Sequence, residues 1–321
     1  MAVYTSVPED DLAHFLAGYD IGQALACKGI AEGVENSNFL LRTETGPFIL
    51  TLYEKRVDRG DLPFFLGLME HCARNGIRCP LPVRDRTGEA LGMLCGRPAA
   101  IVTFLDGMSG SRLDAEHCAE AGEALARLHV AARDFPVPRP NALSFSGWDS
   151  LAAQAGTRAD SVEAGLSALI STTLDDLRGT WPDSLPRGVI HADLFPDNVL
   201  FLSGRTPGII DFYFACTDML AYDLAICINA WCFDAEHRYD AERGQALISA
   251  YDRARPLEAD EIAALPVLCR GAALRFLLTR LVDWLSVPEG ALVQPKDPRE
   301  YSRKLEFHRG VSNTADYGWS R

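Results

Sequence analysis

Positive charge is scarce in this chain: 31 Lys and Arg stand against 44 Asp and Glu, a formal net charge of −13 with a pI of about 5.0. Without a long Lys/Arg cluster there is no field to neutralise phosphates, which excludes nucleic acid and anionic membrane surfaces as partners. No run approaches the roughly 18 apolar residues of a spanning helix. Residues 1–11 are acidic and lack the basic and apolar regions of an export signal. The nine cysteines are odd in number, scattered and never spaced C-x-x-C. That pattern argues against a disulfide framework or a zinc site and reads as reduced, buried thiols in a cytoplasmic protein. Internal repeats and low-complexity tracts are missing too. What remains is 321 residues, 48% hydrophobic and 23% charged. Such a composition is ordinary for a folded protein, and the length suits two domains of about 150 residues each.

Residues 38–42, the turn Glu44-Thr-Gly-Pro47 and residues 48–53 predict a β-hairpin. Phe64, Leu68 and Cys72 at four-residue spacing, closed by Gly76, predict a helix over 63–75. Strands are expected near Val83, over 89–94 and over 99–105, the last ending at Asp106-Gly107, a turn and the hinge between domains. Beyond it, Cys118, Ala121, Leu125, Leu128 and Ala132 form one stripe of a helix over 114–133. A helical stretch over 148–178, short strands and loops over 189–211, and helices from Leu220 onwards complete the reading. The expected class is α+β: an N-terminal β-rich domain, residues 1–106, with a small antiparallel sheet and one helix, and a larger, mainly helical domain, 107–321.

The densest chemistry lies in His191-x-Asp193-x-x-x-x-Asn198, followed thirteen residues later by Asp211 at the end of Gly208-Ile-Ile. This spacing matches ATP-dependent phosphoryl transfer: an Asp that orients an acceptor hydroxyl, then an Asn and a second Asp for Mg²⁺. With 7 His, 26 Asp and 7 Asn in the chain, H-x-D-x₄-N should arise by chance about 0.01 times. Mg²⁺ demands hard oxygen ligands, which Asn198 and Asp211 supply. Asp193 aims the hydroxyl rather than deprotonating it beforehand. An alkoxide sits roughly 12 pKa units above a carboxylate, so early proton removal would cost on the order of 16 kcal/mol. A loose transition state lets the proton leave late. His191 is assigned to bracing the loop. Upstream, Gly29-x-x-x-Gly33-Val-Glu-Asn36-Ser37-Asn38 lies between two expected strands, where backbone N–H groups can face phosphates. It is not G-x-G-x-x-G, and a tight hairpin explains its glycines equally well.

Together with Leu125-Ala-Arg-Leu-His129, these motifs resemble the kinase-like phosphotransferases that include aminoglycoside and choline kinases. Residues 33–39, Ile210-Asp-Phe-Tyr213, and 273–280 with Asp283-Trp284 make the chain most similar to the type II homoserine kinases. The resemblance implies a bilobal protein-kinase-like fold, with adenine against Thr103, Phe104 and Leu105 and the phosphates over Gly33, Asn36, Ser37 and Asn38. It implies Mg²⁺ on Asn198 and Asp211, and phosphorylation of the side-chain hydroxyl of L-homoserine, a step towards threonine. One departure stands out: the place of the usual strand Lys holds Thr51. Lys55 or Arg56, or the loop and metal, must then serve the phosphates, and Glu70, the usual partner of that Lys, becomes a solvated surface charge.

Homoserine also carries a carboxylate and an ammonium. Arg275 is expected to grip the first; an internal ion pair with Asp283 or Asp223 is the alternative for Arg275 and Arg280. Asp218 and Asp223 are candidates for the ammonium, with helix N-capping the alternative for Asp218. Tyr213 is expected to line the pocket, and Trp231, Trp284 and Phe276 to be core. Two other readings remain: a kinase for an aminoglycoside or amino alcohol, and, given Thr51, a catalytically silent nucleotide-binding regulator. Nothing in the sequence sets an oligomeric state.

Overall fold

Three short, largely apolar segments, β1 (Ala24–Gly29), β2 (Ser37–Thr43) and β3 (Gly46–Leu52), form an antiparallel meander, with Asn38 opposite Thr51 and Thr43 opposite Gly46 at the hairpin turn. β4 (Gly92–Leu94) and β5 (Arg97–Thr103) complete a five-stranded sheet of order β1-β2-β3-β5-β4. The period of two sends Phe39, Leu41, Leu50, Leu52 and Ile101 to one core. Leu12 and Leu16 of α1 (Glu9–Leu16) cover it. This helix was not anticipated. At eight residues it is too short to persist without that burial, although three acids in its first turn suit the helix dipole. α2 (Leu62–Arg74) is the predicted helix, with Phe64, Leu68 and Cys72 buried. No strand forms at Val83. Pro80 and Pro82 precede it without N–H donors, leaving a single bridge from Pro82 to Val102, closed by Val83 N–H to Ile101 O (2.8 Å) and Thr103 N–H to Leu81 O (2.9 Å).

The computed structural model describes residues 5–30, 36–54, 58–110, 113–287 and 295–321. The chain divides into two compact units, Met1–Gly107 with Gly208–Tyr213, and Met108–Pro207 with Phe214–Arg321.

In the second unit, β6 (Met108–Ser109) precedes α3 (Ala115–Ala131), whose N-cap Asp114 accepts the His117 N–H at 3.0 Å. The helical stretch expected over 148–178 is instead two helices, α4 (Phe145–Ala155) and α5 (Leu166–Thr180). Gly156 (φ +53°) and Gly165 (φ +83°) adopt left-handed conformations that a continuous right-handed helix excludes. β7 (Arg187–Ile190) leads into the loop of interest, and β8 (Val199–Phe201), antiparallel to β6, leads out of it. β9 (Gly208–Ile209) belongs to the first unit, tied there by Ile209 N–H to Arg78 O at 2.8 Å. β10 (Cys216–Met219) pairs antiparallel with β7. α6 (Leu220–Trp231), α7 (Ala241–Ala254), α8 (Ala259–Ser286) and α9 (Arg299–Arg309) follow. α3 packs closely on α7: a Cβ on Gly122 would lie 2.2 Å from the Leu247 carbonyl oxygen, so only glycine permits the approach. Among the described residues α8 alone is long and apolar enough to cross a membrane, but 67% of its most apolar window is buried within the protein. α4, α6 and α9 cover it, which makes it a core helix. All nine cysteines are free thiols.

Candidate active site

In the first unit the β2–β3 pairing brings Asn38 beside Thr51, whose hydroxyl donates to Asn38 Oδ1 at 2.8 Å. Asn36 and Ser37 are buried. Ser37 Oγ donates to Glu54 Oε1 at 2.8 Å, and Asn36 Oδ1 accepts the Glu54 N–H at 3.4 Å. Glu54 is also held by Thr5 Oγ1 (2.7 Å) and Arg97 (3.3 Å), a set the sequence reading missed because its members are spread over 93 residues. Gly33, Lys55 and Arg56 lie outside the described residues. Glu70 is not a free surface charge; it pairs with Arg84 at 2.7 Å. Thr103 ends β5 and brackets Leu81 through its N–H and Oγ1, both at 2.9 Å. Phe104 follows with 42% of its surface exposed, and Leu105 is half-buried.

Asp211 is exposed and adopts φ +64°, a left-handed conformation that costs a non-glycine residue about 1–3 kcal/mol. Tyr213, two residues on, lies edge-on to Tyr53 (5.4 Å between centroids) and Phe65 (5.7 Å) and receives the Tyr53 hydroxyl bond at 3.2 Å. Burial raises both phenols, and the nearby Asp211 charge pushes in the same direction.

In the second unit, β7 delivers His191 and Ala192, both buried, into a loop that ends in a 3₁₀ turn at Pro196–Asn198. Ala192 is also left-handed (φ +63°). Its strain is held by Asp223 of α6, which is fully buried: Oδ1 accepts the Ala192 N–H (2.8 Å), and Oδ2 accepts the His191 N–H (2.6 Å) and meets His129 Nε2 (3.1 Å). His129 Nδ1 faces Tyr251 OH at 2.8 Å, and Arg255 donates to that hydroxyl at 3.2 Å while pairing with Glu261 at 3.0 Å. A carboxylate only accepts, so His129 donates from Nε2. Burial acts to raise the Asp223 carboxyl. The His129 hydrogen bond and charge, with the charge and N–H of His191, outweigh it and hold the group below the usual carboxylate range. Asp223 is therefore committed to the loop backbone, a role the sequence reading missed; its one signal was an acid in the first turn of an otherwise apolar helix. His191 Nδ1 accepts the Asp193 N–H at 3.3 Å. Asn198 Nδ2 donates to Asp193 O (2.8 Å) and faces Asp193 Oδ2 (3.3 Å), which leaves Oδ1 as the atom of Asn198 able to ligate.

Arg275 of α8 is 1% exposed. Nη1 donates to Ala192 O at 2.5 Å, and the guanidinium lies 4.5 Å from the Phe276 ring centroid. Nε has no acceptor among the described residues. Arg280 does form an internal ion pair, but with Glu300 (2.6 Å), which also takes Lys304 (2.7 Å). Asp218 caps no helix: it lies on β10 and accepts Asn141 Nδ2, Arg187 Nη2 and the Met219 N–H, each at 2.8 Å. Trp231 and Phe276 are core, Trp231 donating to Leu194 O at 2.7 Å, whereas Trp284 is 36% exposed. Phe195 packs on Phe276 (5.0 Å), and Phe276 on Tyr301 (5.2 Å), so one side of the loop is apolar.

A model of the phosphotransferase enzyme family matches residues 26–257. A homoserine kinase of Bradyrhizobium sp. (strain ORS 278) is 63% identical over 318 residues, 99% of this chain and 98% of that protein. A homoserine kinase of Methylobacterium radiotolerans is 62% identical over 99% of both chains. Among solved structures, an amicoumacin kinase in complex with AMP-PNP and Ca²⁺ superposes with a TM-score of 0.74 at 14% identity, covering 95% of this chain and 94% of that one. The choline kinase of Cryptosporidium parvum gives 0.63 at 15% identity over 88% of each chain. These likenesses in structure establish the α+β, protein-kinase-like fold. The chain belongs to the phosphotransferase enzyme family and, within it, to the homoserine kinases.

Proposed function

We propose that the enzyme transfers the γ-phosphoryl group of ATP to the side-chain hydroxyl of L-homoserine, giving O-phospho-L-homoserine. The observation that carries this reading is the loop His191-x-Asp193-x₄-Asn198, held by the buried Asp223, inside a chain that matches homoserine kinases from end to end. Asp193 accepts a hydrogen bond from the homoserine hydroxyl, orients its oxygen towards the γ-phosphorus and takes the proton late. The donor set fits Mg²⁺: an amide oxygen of Asn198 left over from its bond to Asp193, and the exposed carboxylate of Asp211, both hard ligands. When bound, Mg²⁺ supplies neutralisation of phosphate charge.

Adenine is assigned to Thr103–Leu105, and the phosphates to the backbone around Gly33 and Asn36–Asn38. Thr51 is engaged by Asn38 and supplies no charge, so Lys55, Arg56 or the metal takes the part of the missing strand Lys. Arg275, a buried cation whose Nε has no acceptor and which forms no ion pair among the described residues, is assigned to the substrate carboxylate, and Tyr213 to the pocket wall. Free thiols throughout accord with a cytoplasmic setting.

The test is acceptor-dependent ADP release with ATP, Mg²⁺ and L-homoserine, L-serine, choline or an aminoglycoside, beside Asp193→Asn. Turnover with homoserine that falls about 10²–10⁴-fold in the variant is expected. Preference for choline or an aminoglycoside would replace the acceptor, and ATP binding without turnover would favour a silent regulator.

A further inference from the structure

A cavity of about 570 Å³ opens on the second unit, between the chain that follows α3, the start of α4, the segment before β7 and the end of β10. Arg187 lies at its edge. β7 runs from there to Ile190 before His191 begins, so about 10 Å of strand separates the cavity from the catalytic loop. The functional reading above makes no use of it.

One wall is aromatic. Phe145, Trp148 and Trp181 meet at centroid distances of 4.7–5.5 Å, and Tyr222 lies 5.5 Å from Trp181. α8 braces this wall from behind at Gly271, where a Cβ would come within 2.2 Å of Trp181. The other side is polar and unbalanced. Asp218 has both oxygens occupied by Asn141, Arg187 and the Met219 N–H. Arg187 is 52% exposed and, among the described residues, donates only through Nη2, which leaves Nε and Nη1 for another acceptor. The wall also holds two polar atoms without a partner among the described residues, Trp148 Nε1 and Tyr222 OH, both closed to solvent. Asp183, exposed at the rim, is the lining acid that remains open.

An aromatic wall beside the exposed guanidinium of Arg187 suits a ligand with an apolar body, and a planar guanidinium favours a carboxylate. We propose that this cavity is a second small-molecule site, separate from the catalytic loop, that takes a small carboxylate with an apolar body.

Calorimetric titration of the full chain with phenylacetate tests this, with phenylacetamide and benzylamine as neutral and cationic counterparts. Phenylacetate is expected to bind equally with and without saturating L-homoserine, and at least tenfold more tightly than either counterpart. Arg187→Gln should weaken it about tenfold or more, the worth of a hydrogen bond to a charged group. Its unfolding midpoint is measured alongside, so that a loss of binding in a folded variant supports the site. Displacement of phenylacetate by homoserine, unchanged binding in Arg187→Gln, no preference for the carboxylate, or no binding at millimolar probe would each overturn the proposal.

Discussion

Replacing Asp223 with Asn preserves the shape of the side chain and removes its charge. Oδ2 serves two donors, the His191 N–H and His129 Nε2, and Oδ1 serves the Ala192 N–H. An amide must therefore set its NH₂ against at least one donor. The cheaper orientation keeps oxygen at the Oδ2 position and leaves the buried Ala192 N–H without an acceptor, which costs about 1–3 kcal/mol. The two remaining bonds lose their charge assistance, about 1 kcal/mol each. Together the variant should be about 3–5 kcal/mol less stable. Ala192, already left-handed at φ +63°, then has less to hold it. If about 2 kcal/mol of the loss falls on the loop, the productive geometry is depopulated about thirtyfold. The expected outcome is a kcat for homoserine phosphorylation lowered about 10- to 100-fold, with KM changing much less, read by ADP release, and a lower unfolding free energy in urea. The pH dependence carries a sign. A carboxyl held below its unfolded value contributes stability that is present above the usual carboxylate range and lost as the pH falls through and below it, so the acid limb of the variant should be shallower. A kcat within about twofold of wild type and stability within about 0.5 kcal/mol would refute the clamp.

Glu300→Gln leaves Arg280 and Lys304 without their shared carboxylate and should destabilise by about 2–4 kcal/mol in urea. Burial would raise this carboxyl, but the charges of Lys304 and Arg280 hold it down to about 2. The wild type should accordingly keep that contribution above about pH 5 and lose it as the pH falls from there to about 2. His308 is fully buried between Tyr317 OH (2.8 Å) and Asn229 Oδ1 (3.1 Å), and burial, aided by the Lys304 charge, lowers it to about 3. The unfolded chain takes up this proton first as the pH falls, so wild-type stability should drop by about 2 kcal/mol between pH 7 and 5 from this residue alone. His308→Gln should flatten that slope, and an unchanged slope would count against a neutral His308. Chelation should abolish turnover and Mg²⁺ restore it, and Asn198→Ala should raise the Mg²⁺ concentration for half-maximal turnover about tenfold or more. A titration of rate against free Mg²⁺ decides it.

Much of the fold was legible because its signals are local. The β2–β3 hairpin follows from two short apolar runs on either side of the turn at Thr45-Gly46, and α2 and α3 from single apolar stripes with end signals at Gly76 and Asp114. Two expectations failed where local pattern was a poor guide. The apolar spacing over 148–178 runs across Gly156 and Gly165 as if they were helical, and Val83 looks like a strand residue until the two prolines before it are counted as missing donors. α1 escaped notice because eight residues with two buried leucines are a helix only when a sheet is there to cover.

For the candidate site, the sequence by itself determined the loop: His191, Asp193 and Asn198 fall within eight residues, where spacing alone dictates which atoms can meet, and a full-length likeness to homoserine kinases goes with them. Only the tertiary structure decided the partners of the buried charges. Asp223 holds the His191 and Ala192 amides across some thirty residues, Arg280 finds Glu300 rather than Asp283, and Arg275 takes the Ala192 carbonyl. The segment carrying Asp211 joins the first unit by the same kind of choice. A charge drawn out of water must be met by whatever polar group the packing of helices and strands brings within about 3 Å, and that neighbour is set by how the elements pack, far from the charge in sequence.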